Sequence, residues 1–284
     1  MKLSKIFALL LALCLISSAA CAATFTDAHG NVIELDDSLE AYAAVTLVGA
    51  DNAARQGETN LGDLWADALR WFAVSGEINA AFDEDDVKAG NDRIAVDADH
   101  VVALWNGGNL RADIAEGTFG AEALAEVLPF PNKVAVVYMT GAQLLETLEA
   151  ASQGLPYTAE TADACASLMQ VSGLTYTVDT AKAYDALEAY GDHWFTAGSV
   201  SRVRIDDVNG QPFDAEATYA VVTSNANFNG MDSSYVLKAA AEANEQSAVT
   251  TAVVRDVVFQ FIAAELNNQV GEAYAAPQGR LTVL

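Results

Sequence analysis

Two arginines, a glycine turn, a proline-flanked ring and a late carboxylate are the residues here whose types and spacing suit chemistry. Arg111 follows Asn106-Gly107-Gly108 in "ALWNGGNLRADI" (103–114), and Arg55 sits in "NAARQGETNLGD" (52–63). A guanidinium offers a planar fork of donors that matches phosphate or carboxylate oxygens. Glycine backbone, lacking Cβ, lets a ligand approach closely. Phe130 lies between Pro129 and Pro131, which fix φ on both sides, so its face can be offered to a planar ligand. In "SNANFNGMDSSY" (224–235), Phe228, Gly230 and Asp232 form a polar loop, and a carboxylate there suits two ribose hydroxyls. Each feature also has a plainer reading: surface ion pairs for the arginines, a core rim for Phe130, turn chemistry for Asp232.

Hydrolytic machinery is not legible. His29, His100 and His193 form no H-x-H or H-E-x-x-H pattern and share no zinc-like spacing with cysteine. No nucleophile elbow, phosphate-binding P-loop or dinucleotide fingerprint occurs. Ser233 and His193 with some aspartate would make a triad of the kind any chain of this size permits. The acidic stretch "DEDDVKAGND" (83–92) lacks the glycine and terminal glutamate spacing of a calcium-binding EF-hand, and reads as a solvated insertion. No catalytic and no metal-ligating residue is expected in this chain.

The elements that must position these residues follow from periodicity. "TFTDAHGNVIEL" (24–35) alternates and turns at His29-Gly30-Asn31, which predicts a hairpin. Leu61, Leu64, Trp65, Ala68 and Phe72 recur at helical spacing behind a Thr59 or Asn60 cap, with Asp63 near the positive end. Strands are expected at 101–105, 133–139, 173–178, 200–205 and 219–223. Thr140 and Gln143 form a capping box ahead of Leu144, Leu145 and Leu148. The apolar spacing of Val253, Val257, Phe261 and Ile262 predicts a long C-terminal helix over 248–266. Strands and helices interleave without a regular βαβ repeat, which predicts an α+β fold with mixed sheets.

Lys2 and Lys5 precede an apolar run from Ile6 to Ile16 and the small residues "SSAACAA". That arrangement predicts a secretory leader over 1–22 and a secreted or otherwise extracytoplasmic protein, in the periplasm or at the cell surface. Lipidation at Cys21 is the alternative. Residues 23–52 then read as an N-terminal extension and 53–284 as one domain. Without its leader the chain keeps Cys165 alone, so no intrachain disulfide is expected. The formal charge moves from −25 to −27 when Lys2 and Lys5 are lost. Such a surface repels nucleic acid, which needs clustered cations, and no transmembrane segment is expected.

"ETNLGDLWADAL", "ALWNGGNLRADI", "VLPFPNKVAVVYMTGAQLLETLE", "LMQVSGLTYTVD" and "TYAVVTSNANFNGMDSSY" stand in the order found in the C-terminal domain of bacterial 5′-nucleotidases and UDP-sugar hydrolases. The chain resembles that family from about Ala53 onward. The resemblance implies a layered α/β/β/α domain that binds the nucleoside and helps hold the phosphate. A separate N-terminal metallophosphatase domain carries two divalent metals and hydrolyses the ester. By the resemblance, Arg55 and Arg111 lie near ribose and phosphate, Asn106 and Gly108 beside the base, Phe130 stacks on the base with Asn132 next to it, and Asp232 takes the ribose. The family's second stacking aromatic is Ala226 here, with Phe228 two residues on. Its Gly-Gly-Asp-Gly-Tyr run is Gly-Met-Asp-Ser-Ser-Tyr, its third loop glycine is Asn109, and Pro131 replaces a glycine. The resemblance places no cofactor in this chain and too few residues ahead of the first motif for the metal-bearing half. Three readings follow: a nucleotide- or nucleoside-binding domain not hydrolytic alone, a 5′-nucleotidase component acting with a separate metallophosphatase chain, or a cell-surface interaction protein with a degenerate pocket.

Overall fold

The computed structural model describes the backbone of residues 24–26 and 32–34, and residues 40–82 and 94–284 throughout. The expected leader (1–22), the turn at 29–31 and the acidic insertion (83–92) lie outside the described residues. The chain forms two units, one up to Glu40 and one from Ala41 to Leu284. In the first, β1 (Thr24–Thr26) and β2 (Val32–Glu34) pair antiparallel with Thr24 opposite Glu34, the ladder the alternation predicts.

The second unit opens with β3 (Ala41–Ala43), the middle strand of a small sheet. Helices α1 (Ala53–Gln56) and α2 (Asn60–Val74) follow. Thr59 caps α2, its hydroxyl accepting from the Gly62 N–H at 3.0 Å, and Leu61, Leu64, Trp65, Ala68 and Phe72 are all buried. Next come β4 (Val101–Asn106), β5 (Gly117–Phe119), α3 (Ala121–Val127) and β6 (Lys133–Thr140). Helix α4 (Gly141–Ala151) starts on the Thr140–Gln143 box with both of its reciprocal bonds made.

Strands β7 (Met169–Ser172) and β8 (Leu174–Val178) replace the single strand expected at 173–178. Gly173, at φ +81°, turns the chain from one sheet into another, and a Cβ there would lie 2.7 Å from Arg70 Nε. The remaining elements are β9 (Ala186–Tyr190), β10 (Trp194–Ala197), β11 (Val203–Val208), β12 (Thr218–Ser224), α5 (Asn225–Phe228), α6 (Tyr235–Ala243), β13 (Ala248–Val253), α7 (Val254–Glu265), β14 (Gln269–Val270) and β15 (Leu281–Val283). The expected 248–266 helix is therefore part strand. Val249, Thr250, Thr251 and Val253 are β-branched and suit a pleated surface. They add β13 to the edge of the sheet beside β6, and Thr250 Oγ1 donates to the Val134 carbonyl at 2.9 Å.

The central sheet runs β13-β6-β12-β4-β7, with β4 and β12 parallel and the other neighbours antiparallel. Alternate residues of each strand face opposite cores. Val101, Ala103, Trp105, Val136 and Val222 meet α2 and α7 on one side. Val102, Leu104, Val137, Met139 and Val221 meet α4 and the sheet β11-β8-β15 on the other. The result is the layered α+β architecture with mixed sheets that the sequence predicts.

Candidate functional site

The parallel pair β4 and β12 ends at Asn106 and Ser224. Beyond the carboxyl ends of parallel strands, neighbouring loops diverge and leave a crevice. Here the segment after β4 carries Gly108 and Arg111, and the segment after β12 carries Phe228 and Asp232. Asn106 Nδ2 donates to Asp232 Oδ2 at 2.8 Å, and Asn109 Nδ2 donates to Asn106 Oδ1 at 2.8 Å. Asn109, at a position the family keeps as glycine, thus orients the amide that holds Asp232.

Asp232 sits at φ +55°, a left-handed conformation that aspartate tolerates better than most residues. Its loop is fixed from below. Ser224 Oγ accepts from the Asn227 N–H at 3.1 Å and donates to Asn227 Oδ1 at 2.7 Å, while Asn227 Nδ2 donates to Ser234 Oγ at 2.8 Å. Tyr190 Oη donates to the Gly230 carbonyl at 2.7 Å. Burial pushes the Asp232 carboxyl above its ordinary value, against the opposing pull of Arg55, the Asn106 hydrogen bond and Arg111.

Arg55 extends from α1, where its Nη1 donates to the Ala162 carbonyl at 3.0 Å and lies 3.9 Å from Asp163 Oδ1. Arg111 Nε donates to the Gly108 carbonyl at 3.2 Å, and its guanidinium lies over the Phe130 ring, 4.8 Å from the centroid. Phe130 itself is 40% exposed, so a stacked cation covers one face and ring surface remains. Asn132, half-buried, accepts from the Val254 N–H on its main chain at 2.8 Å and adjoins Lys133, whose N–H donates to Asn225 Oδ1 at 2.9 Å. Phe228 ends α5 in place of the loop expected there, and it packs partly against the core between α4 and the second sheet.

The glycine turn has a reason the sequence does not reveal. Residues 107–109 form a single 3₁₀ turn, and a Cβ on Gly107 would lie 1.9 Å from the Ala54 carbonyl oxygen. One on Gly108 would lie 2.7 Å from Ala166 Cβ. The close approach the glycines permit is that of the protein's own backbone: Gly107 seats α1, and with it Arg55, while Gly108 seats the 164–167 turn. Pattern reading also misses Asp163, His193 and Tyr190, which reach the site from distant segments and carry no local signal. Asn109 does carry one, since it lies three positions after Asn106 in a turn.

A cavity of about 680 Å³ lined by Ile94, Asp97, His100 and Thr218 lies at the other end of β12 and does not include these residues. Among the described residues no group of three or more His, Cys, Asp or Glu is arranged to hold a metal. Among the described residues, too, no helix is long and apolar enough to cross a membrane.

Known proteins share this arrangement of strands and loops. Residues 40–239 match the family model described as 5′-nucleotidase, C-terminal domain. The trifunctional nucleotide phosphoesterase protein YfkN of Bacillus subtilis (strain 168) is 28% identical over 188 residues, which is 65% of this chain and 10% of that protein. The 5′-nucleotidase precursor from Thermus thermophilus superposes with a TM-score of 0.62 at 29% identity, covering 87% of this chain and 40% of that one. The Haemophilus influenzae NAD nucleotidase shares the fold, with a TM-score of 0.57 at 14% identity over 92% of this chain and 48% of that one. The chain thus spans less than half the length of each of these proteins. The family match covers most of the second unit and more than half of the chain, and the chain belongs to the family of 5′-nucleotidase C-terminal domains.

Proposed function

We propose that this domain binds a nucleoside or nucleotide at the Asn106–Asp232 cluster. The observation that carries the reading is the 2.8 Å bond from Asn106 to the Asp232 carboxylate beyond the ends of β4 and β12. The carboxylate accepts the two ribose hydroxyls, the partly exposed Phe130 ring offers stacking area to the base, and the guanidiniums attract the phosphate. Charge-assisted bonds of this kind are about twice as strong as neutral ones, so Asp232 is the anchor.

Binding is tested by thermal denaturation with AMP, adenosine and UDP-glucose, Arg111→Ala being the control. Ligand at one hundred times its Kd adds roughly 2.7 kcal/mol of stability. A shift that Arg111→Ala diminishes for AMP supports the reading. No shift with any of the three overturns it and favours an interaction protein whose pocket is degenerate.

A second reading is favoured by the relatives, two of which are described as nucleotidases or phosphoesterases of much greater length. On it the domain presents substrate to a metallophosphatase on a separate chain, and hydrolysis is not a property of this domain alone. Phosphate release from AMP with Mn²⁺, Zn²⁺ or Co²⁺ by this chain unaided would contradict that reading. The leader-like segment around Lys2, Lys5 and Ile6–Ile16 supports export from the cytoplasm, as does the description of the Thermus relative as a precursor. Sequencing the N-terminus of the exported protein tests it.

A further inference from the structure

Arg55, the cation of the site on α1, already has an anion beside it. Asp163 Oδ1 lies 3.9 Å from Arg55 Nη1, and the other oxygen of the same carboxylate lies 3.8 Å from His193 Nε2. The carboxylate is bracketed by two nitrogenous groups from different parts of the chain. His193 stands in the turn between β9 and β10, a two-stranded sheet exposed along most of its length. That hairpin is nonetheless held firmly. Trp194 Nε1 donates to the Ala164 carbonyl at 3.1 Å, the Phe195 N–H donates to Gln153 Oε1 at 2.8 Å, and the Ala197 N–H donates to Tyr235 Oη at 2.9 Å. The His193 ring meets the Trp194 ring edge-on at 5.5 Å. A pinned hairpin thus delivers a histidine to the outer side of Asp163, one residue from the carbonyl that Arg55 bonds.

We infer that Asp163 is a built-in counter-anion that masks Arg55 and tilts the site toward uncharged nucleosides over phosphorylated ones. The inference rests on the nucleoside-binding reading above. Its physics is simple. A phosphate drawn to Arg55 is repelled by the carboxylate that lies 3.9 Å from that guanidinium, which offsets part of the attraction. A nucleoside contacts Asp232 and Phe130 and is indifferent to that charge. The Asp163 side chain is 72% exposed, so its role is one of field rather than packing.

The test is Asp163→Asn, which keeps the shape and removes the charge. Titration calorimetry at low salt compares AMP with adenosine on both proteins. AMP binding should tighten roughly tenfold, the effect of removing one charge about 5 Å from a dianion in a water-like dielectric. Adenosine should change less than about twofold, since it carries no charge for the carboxylate to repel. The gain should shrink only in part as salt approaches physiological strength, since about 5 Å lies inside the Debye length of about 8 Å. Adenosine binding retained with AMP binding unchanged or weakened in Asp163→Asn overturns this inference alone. Failure of the unaltered protein to bind either ligand overturns the nucleoside-binding reading and this inference with it.

Discussion

Gly107→Ala is the substitution whose consequence follows most directly from the packing of the site. The new methyl would start 1.9 Å from the Ala54 carbonyl oxygen, and real Cβ contacts below 3.0 Å essentially do not occur. Strand β4 is central and buried on both faces, so the movement of about 1 Å or more falls on α1. The Ala54 carbonyl also accepts from Gln170 Nε2 at 3.0 Å, and the buried Gln170 holds the Gly57 carbonyl and the Thr59 N–H as well. Overpacking costs about 1–3 kcal/mol, and a strained buried hydrogen bond adds about 1. Alanine in place of glycine returns about 0.4–1 kcal/mol by restricting the unfolded chain. The net is a loss of roughly 1–3 kcal/mol, seen as a melting point lower by about 3–10 °C for a domain of this size. Arg55 rides on α1, so AMP affinity should fall further than adenosine affinity. Urea denaturation and calorimetry measure the two effects. Stability within about 0.5 kcal/mol of the parent, the ordinary range of a change that meets nothing, with unchanged AMP binding, would refute the claim that this glycine seats the arginine.

Three other expectations concern the site and the scaffold. Phe130→Ala removes the stacking platform and should weaken adenosine binding by about tenfold or more, base–aromatic stacking being worth roughly 1–3 kcal/mol; an unchanged Kd would mean that the ring faces no ligand. Asn106→Ala leaves Asp232 without its 2.8 Å donor and should weaken nucleoside binding by roughly tenfold while Asp232→Asn weakens it at least as much; calorimetry separates this from an unaffected site. Asp63 concerns stability. Burial first, and then Glu58, push its carboxyl from 3.8 up to about 8. Arg280, 3.8 Å away, does not hold it ionised because that guanidinium's short contact, 2.8 Å, is to Asp67. The folded state thus keeps a proton that the unfolded state releases above the ordinary carboxylate range, and stability falls as pH rises toward about 8. Asp63→Asn should flatten that slope in urea midpoints between about pH 5 and 8.5, the window over which the two states differ in protons bound; equal slopes in both proteins would count against a protonated Asp63.

The parts of the fold legible in the sequence are those with local causes. Thr140 and Gln143 lie three residues apart and satisfy each other's backbone, and the buried stripe of α2 repeats at the helical period. Where causes are distant, periodicity misleads. The helical spacing of Val253, Val257 and Phe261 extends backward over β-branched residues whose fate is decided by β6, more than a hundred positions away. Hairpin β9–β10 has Leu187 and Phe195 exposed, so its strands lack the alternation that burying one face would impose. In the site itself, Asn106 and Asp232 are separated by 126 residues. Only resemblance to a family brings them together; residue chemistry alone leaves each with an ordinary explanation.

Whether the arginines are structural or functional is best judged from what each one does in a chain with 39 acidic residues to 14 basic. A guanidinium has five N–H donors, and a structural one in a buried place must use several of them. Arg202 donates to the carbonyls of Ser152 and Leu155. Arg280 donates to Val171 and Asp67, and Arg70 to Val101 and Ala98. Each of these ties two segments of main chain or a carboxylate into the core. Arg55 and Arg111 behave otherwise. Each makes one hydrogen bond to a carbonyl close to the site, and each is then left beside a group that a ligand could replace: the exposed carboxylate of Asp163 for one, the face of Phe130 for the other. Arg202, Arg280 and Arg70 show that this fold satisfies its guanidiniums where stability is their purpose, and the departure of Arg55 and Arg111 from that pattern is the ground for proposing that they serve a ligand.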